Sequence, residues 1–211
     1  MIKRIPITNI SGSAIQVEGD DVDTDRGMPA RFLSCTAFDD LGPHAFADDR
    51  AQMRAQGLTH PFDDAAKIGW AIMLVGRNFS CGSSREHAPQ GFKYAGAKAI
   101  IGISFAEIFA GSAASIGLPC VTVSEEHHAW IAHQLQMGAH TVNIDLKKME
   151  ITVEHHSESD PIPCFMPATH QKKLVEGNWD NLPALLATPM ADVLNTMARI
   201  PFLNATALAP K

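Results

Sequence analysis

The sequence predicts an α/β fold with a mostly parallel β-α-β-α-β core, an additional β-hairpin and C-terminal helices. Three observations predict it. Trp70–Val75, Ala99–Ile103 and Pro119–Val123 are short, near-continuous apolar runs, as expected of strands covered on both faces. Helical patterns separate them, and a helix between two neighbouring strands implies parallel pairing. After the third run, Thr141–Leu146 and Met149–Val153 alternate polar with apolar around Lys147-Lys148, the pattern of an antiparallel hairpin.

The elements follow in order. Ala14–Val17 reads as a short strand, followed by the acidic string Asp20-Asp21-Val22-Asp23-Thr24-Asp25. From Ser34 to about Asp64 the pattern is irregular, with Gly42-Pro43 and His60-Pro61 as turn signals, so a binding loop or lid is expected. The Trp70–Val75 strand ends in the polar turn Gly76–His87. A helix then runs through Phe92–Ala95 and stops at Gly96. Its start has two readings: a capping box at Ser83-Ser84-Arg85-Glu86, or a first turn containing Pro89. Phe105, Ile108, Phe109 and Ile116 space as one helical face, closed by Gly117. Glu125–Met137 reads as a helix with Trp130, Ile131 and Leu135 on one side. Asp160-Pro161-Ile162-Pro163 breaks the strand pattern. Thr169–Glu176 is a short helix, and Thr188-Pro189 opens another that reaches about Arg199.

The chain has 211 residues, 45% apolar and 19% charged, enough to bury a sizeable core. A formal net charge of −6 gives no electrostatic footprint for nucleic acid. The N-terminal residues lack the apolar core of a signal peptide, and no run is long enough for a membrane span, so a cytoplasmic protein is expected. Cys35, Cys81, Cys120 and Cys164 are widely and singly spaced, unlike zinc or iron–sulfur ligands, and are expected to be reduced and mostly buried, with Cys81 in the polar turn the partly exposed exception. The doublet His127-His128, His133 and His155-His156 fit no metal motif and read as surface histidines.

The chemistry concentrates in Gly82-Ser83-Ser84-Arg85-Glu86-His87. A buried strand running into a polar turn is where open α/β sheets place ligands. Arginine offers a planar fork for a carboxylate or phosphate, and a serine beside such positive potential can act as a base or nucleophile. The nucleophile-elbow and phosphate-loop patterns are both absent. Upstream, Asp25 and Arg31 either form a solvated turn or share an anion site with that segment. His87 either positions Ser83 or Glu86, or simply packs.

Gly76–Pro89 resembles the signature of isopropylmalate dehydratase small subunits, the swivelling β/β/α domain of the aconitase superfamily. Asp21–Asp25 with Pro29-Ala30-Arg31-Phe32-Leu33 resembles that family's N-terminal motif. Ser104–Phe109 and Gly117–Pro119 resemble later segments in the same order. The resemblance spans roughly residues 10–155. It implies one swivelling domain over 1–211, with a core at about 10–155 and a helical extension at about 165–211. It further implies that this chain binds no cofactor and that a separate large subunit carries a [4Fe-4S] cluster. It assigns Ser83 as the base and Asp25 as a supporting acid. Arg31, Ser84 and Arg85 become carboxylate-binding residues, supported by Glu86 and His87. The implied reaction is the reversible dehydration and rehydration of a small dicarboxylate, as in leucine biosynthesis. Phe32, Leu33 and Ser34 lie where the family selects the substrate side chain. Ser34 is neither apolar nor basic, which leaves a methylmalate, a dimethylmalate or citraconate open beside isopropylmalate. A non-catalytic ligand-binding module is the alternative from another class.

Overall fold

The computed structural model describes residues 4–35, 37–83, 85–139, 141–155, 159–180 and 189–200, with the side chains of 65–68 excepted. Two four-stranded sheets organise the chain. The first is parallel, with β2 (Ala14–Val17), β3 (Ile72–Val75), β4 (Ala99–Gly102) and β5 (Cys120–Thr122) side by side in chain order. Helices α4 (His87–Ala95) and α5 (Glu107–Ser115) connect β3 to β4 and β4 to β5, so the expected β-α-β-α-β core is present.

The second sheet is antiparallel and larger than the expected hairpin. Strands β6 (Thr141–Asp145) and β7 (Glu150–Glu154) form that hairpin, but β1 (Asn9–Gly12) pairs with β6 and β8 (Ile162–Pro163) pairs with β7. The sequence at 160–163, expected to break the pattern, supplies an edge strand instead. Pro163 sits on that edge, where its missing N–H leaves no ladder bond unmade. Strand β1 escaped the sequence reading because Asn-Ile-Ser-Gly offers one apolar residue in four.

Alternation along β3 explains the layering. Met73 and Val75 face a core with Phe46, Phe79, Phe92 and Phe109. Ile72 and Leu74 face the opposite core with Ile10, Val142, Ile144, Ile151 and Val153 of the antiparallel sheet. All four β3 residues are fully buried, hence the continuous apolar run. The order is therefore antiparallel sheet, parallel sheet, helices, which is a β/β/α arrangement. The chain crosses from one sheet to the other at Ser13, whose carbonyl accepts from Ala71 N at 2.9 Å. Helix α6 (Glu125–Gln136) and α7 (Ala168–Glu176) add Ile131 and Leu174 to the second core.

Several expectations need correction. The irregular stretch 34–64 is mainly helical, with a 3-10 helix at Phe38–His44, α2 (Ala47–Ala55) and the first half of α3 (Pro61–Ile68). Helix α2 buries no residue, so it carries no apolar periodicity to read. Phe105 precedes α5 and Ile116 caps it, while Ile108 points outward at 59% exposure. Trp130 is 38% exposed while Ile131 is buried. The capping box does not form. Helix α4 begins at His87 with Pro89 in its first turn, and Glu86 precedes it without a side-chain cap. The helix expected to open at Thr188-Pro189 is α8 (Met190–Arg199); Thr188 itself lies outside the described residues. No helix among the described residues is long and apolar enough to cross a membrane.

Candidate functional site

The site lies where loops leave the carboxyl ends of β2, β3 and β4. The central loop, Gly76–Glu86, is stitched to both neighbours. On one side, Ser80 N and Cys81 N donate to Val22 O at 2.7 and 3.3 Å, and Thr24 N donates to Cys81 O at 2.9 Å. On the other, Phe79 N donates to Ser104 O at 3.1 Å and Ala106 N to Phe79 O at 3.1 Å. Asn78 and Ser80 hold φ of 49° and 61°, a region that side-chain-bearing residues seldom occupy, and Gly82 follows at 97°. The Ser80 hydroxyl is buried without a hydrogen-bond partner among the described residues. Such local strain, held in place by the surrounding bonds, is characteristic of functional turns.

The acidic string is ordered by the same contacts. Asp23 caps α1 (Thr24–Gly27), its carboxylate accepting from Arg26 N at 2.7 Å. Thr24 is 7% exposed and its Oγ1 accepts from Ser83 N at 3.1 Å, which docks the serine turn on the start of α1. A cavity of about 440 Å³ opens between them, lined by Asp23, Thr24, Asp25, Gly82, Ser83 and Arg85.

Ser83 and Arg85 are coupled inside it. The Ser83 Oγ accepts from Arg85 N and from Arg85 Nη1, both at 3.3 Å. Two donors converging on one hydroxyl oxygen, one of them charged, favour negative charge on that oxygen. Ser84 lies outside the described residues. Glu86 is exposed and turns to a neighbouring cavity with Arg4, Gln90, Lys93 and Trp179. His87 packs edge-on against Phe38, with ring centroids 5.3 Å apart.

Arg31 does not line this cavity. It sits in the 3-10 turn Ala30–Phe32 and forms a bidentate pair with Asp48 of α2 at 2.9 and 2.6 Å. The hydrogen bonds from Arg31 hold the Asp48 carboxyl below the usual carboxylate range. Phe32 and Leu33 are half-buried and Ser34 is exposed, its hydroxyl 3.5 Å from Arg31 O. Sequence reasoning missed Thr24 and Asp48. Thr24 stood between two aspartates that drew the attention, and Asp48 opens a helix with no apolar signature.

Among the described residues, no group of three or more His, Cys, Asp or Glu side chains is placed to hold a metal ion. All four cysteines are free. Cys120 and Cys164 are buried, and burial pushes the Cys164 thiol up to about 12. Cys81 is half-buried, in line with its place in the polar turn, and Cys35, expected to be buried, is half-buried as well. Of the histidines expected at the surface, His133 is exposed, while His127, His128 and His155 are half-buried and His156 lies outside the described residues.

Residues 6–126 match the family described as the aconitase C-terminal domain. The chain belongs to this family. Its aconitase-type layers match a solved structure, the 3-isopropylmalate dehydratase of Methanocaldococcus jannaschii, with a TM-score of 0.62 and 30% identity. That match covers 84% of this chain and 96% of the other. The 3-isopropylmalate dehydratase small subunit of Synechocystis sp. is 41% identical over 199 residues, covering 94% of this chain and 96% of the relative. The small subunit from Thermus thermophilus is 42% identical over 180 residues, covering 85% and 88%. Within this aconitase-type domain, the stitched turn and its cavity occupy the carboxyl edge of the parallel sheet.

Proposed function

We propose that this chain is the small subunit of a two-subunit hydro-lyase that interconverts 2-isopropylmalate and 3-isopropylmalate, and that it works in the cytoplasm. The observation that carries the chemistry is the Ser83 hydroxyl held by Arg85 N and Nη1 across a small cavity from Asp25. The relatives' shared name supplies the substrate. Residues 1–211 act as one swivelling domain, with a core at about 10–155 and a helical extension at about 165–211.

In this reading Ser83, as an alkoxide, takes the proton from the carbon beside a substrate carboxylate. The Arg85 donors lower the energy of that alkoxide, and the guanidinium then turns to the substrate carboxylate. Ser84, the next residue, joins in carboxylate binding. Asp25, on the rim of the same cavity, serves as a supporting acid. Arg31 binds the second carboxylate. Phe32, Leu33 and Ser34 meet the substrate side chain. Glu86 and His87 set the start of α4 and thereby the turn before it. The partner in this reading is a large subunit whose [4Fe-4S] cluster would supply Lewis-acid chemistry toward the substrate hydroxyl. The residues of this chain do not fit a cluster, since their cysteines are scattered and mostly in separate cores or loops.

The test is reconstitution with the large subunit, following the absorbance of the unsaturated intermediate from either isomer. The complex is expected to turn over and the isolated chain to be inactive. Ser83→Ala in the complex is expected to lower kcat by about 10²- to 10⁴-fold with little change in KM. Full activity of the isolated chain would sink the two-subunit reading, and unchanged kcat in the variant would remove Ser83 as the base.

A further inference from the structure

Arg31 is restrained on two sides. Its guanidinium carbon lies 4.6 Å from the centroid of the Phe32 ring. That ring stacks on His44, with centroids 3.9 Å apart and planes 9° from parallel. The end of the guanidinium is closed by Asp48, with Nη1 donating to Oδ2 at 2.9 Å and Nη2 to Oδ1 at 2.6 Å. A guanidinium carries five N–H donors in a planar fork, and Asp48 engages one from each terminal nitrogen. The side edge, formed by Nε and the second Nη2 hydrogen, has no partner among the described residues. It is the right shape for one more carboxylate.

The position of Asp48 is itself fixed by the fold. Helix α2 is preceded by Phe46, whose side chain is fully buried and whose φ is 53°. Phe46 N donates to Gly27 O at 2.8 Å, which ties the start of α2 to the end of α1. The next acid along, Asp49, accepts from Arg26 Nε at 2.7 Å. One helical turn with adjacent carboxylates therefore holds two arginines, one on α1 beside Asp25 and one just beyond it.

We infer that Asp48, with Phe32, is a positioning residue: it fixes the Arg31 guanidinium so that its Nε–Nη2 edge is presented to a substrate carboxylate. The inference rests on the reading that Arg31 grips the substrate. Arg31 is exposed, and an exposed arginine without these restraints samples many rotamers and must be ordered when ligand arrives. Asp48 removes that ordering step beforehand. The contribution is the same in the ground state and the transition state, so it appears in KM rather than kcat.

The test uses the reconstituted two-subunit enzyme with 3-isopropylmalate. Asp48→Asn and Asp48→Ala are expected to raise KM about 5- to 20-fold and to leave kcat within about 2-fold. Asp48→Glu, which keeps the charge on a longer arm, recovers part of the loss. In an Arg31→Ala background, Asp48→Ala adds nothing further, because the residue acts through that guanidinium. Thermal melts of each variant establish that the fold is intact. An unchanged or lowered KM in both Asp48 variants, with Arg31→Ala still damaging, overturns the inference alone. Additive losses in the double variant overturn it as well. Arg31→Ala with unchanged KM and kcat removes the reading of Arg31 and the inference together.

Discussion

The Ser83 turn shows how residue identity and tertiary contact divide the work at the smallest scale. The hydroxyl and the guanidinium are two residues apart in sequence and meet in space at 3.3 Å. Their anchor, Thr24 Oγ1, comes from 59 residues away. A serine–arginine neighbourhood is visible in the sequence, whereas the partner that holds its backbone is not. His60 makes the same point for stability. It is 3% exposed, with Nδ1 accepting from Phe62 N at 3.1 Å, although a histidine before a proline reads as a surface turn. Burial pushes its pKa below the ordinary 6.5, partly offset by Asp49 and Asp63. His128 and His170 shift in the same direction, also through burial. A histidine whose folded pKa is depressed stays neutral while the unfolded chain begins to protonate near 6.5. Stability is therefore full above about pH 6.5 and is lost as pH falls toward the lower folded value. Urea denaturation at about pH 7.5 and about pH 5.5 is expected to show this loss. His60→Asn, which keeps an acceptor for Phe62 N, is expected to reduce it. An equal loss in the variant would show that His60 carries none of it.

Among the elements, those with apolar periodicity were legible and those held by close backbone approach were not. Strands β3, β4 and β5 announce themselves because both faces are buried. Helix α2 and the 3-10 helix at Phe38–His44 do not, because α2 is held by ion pairs and the 3-10 helix buries Leu41 without any repeat, beside the small residue Gly42. Gly42 lies so close to α4 that a Cβ there would stand 2.5 Å from Tyr94 O. Gly76 plays the equivalent part at the site, where an added Cβ would meet Asp20 Oδ1 and Gly19 O, both at 2.5 Å. The second contact is backbone, so it cannot turn away. Gly76→Ala is expected to push the serine turn off the acidic loop. Activity of the reconstituted enzyme should fall by about 10-fold or more, since sub-ångström placement governs such sites. The isolated chain should lose about 1–3 kcal/mol in denaturant melts, the range for overpacking. Wild-type activity in this variant would show that the two loops need not stay in register.

For the whole molecule, the two cores explain which parts of the C-terminal region belong to the fold. Leu174 of α7 is fully buried against the antiparallel sheet, and Ile7 N donates to Leu174 O at 2.9 Å. Arg4 pairs with Asp180 at 2.7 Å, so the two ends of the described core are tied together. Helix α8 has no buried residue, with Leu194 at 56% exposure. Leu174→Ala is expected to cost about 2–5 kcal/mol through lost burial and the cavity left behind. Leu194→Ala should stay within about 0.5 kcal/mol. Guanidinium melts of both variants check this, and comparable losses would mean that α8 packs on the fold in solution.

By itself, the sequence determined the parallel core, the hairpin and the place of the polar turn after β3, because burial on two faces and a polar run after a strand leave marks in local order. Only the tertiary structure decided that β1 and β8 widen the hairpin into a sheet, and that the stretch 34–64 is a helical brace. It also decided that Arg31 leans on Asp48 outside the Ser83 cavity. Those features rest on contacts between residues far apart in the chain, through backbone hydrogen bonds, glycine close approaches and a single bidentate ion pair. None of these leaves a period in the sequence that could be read beforehand.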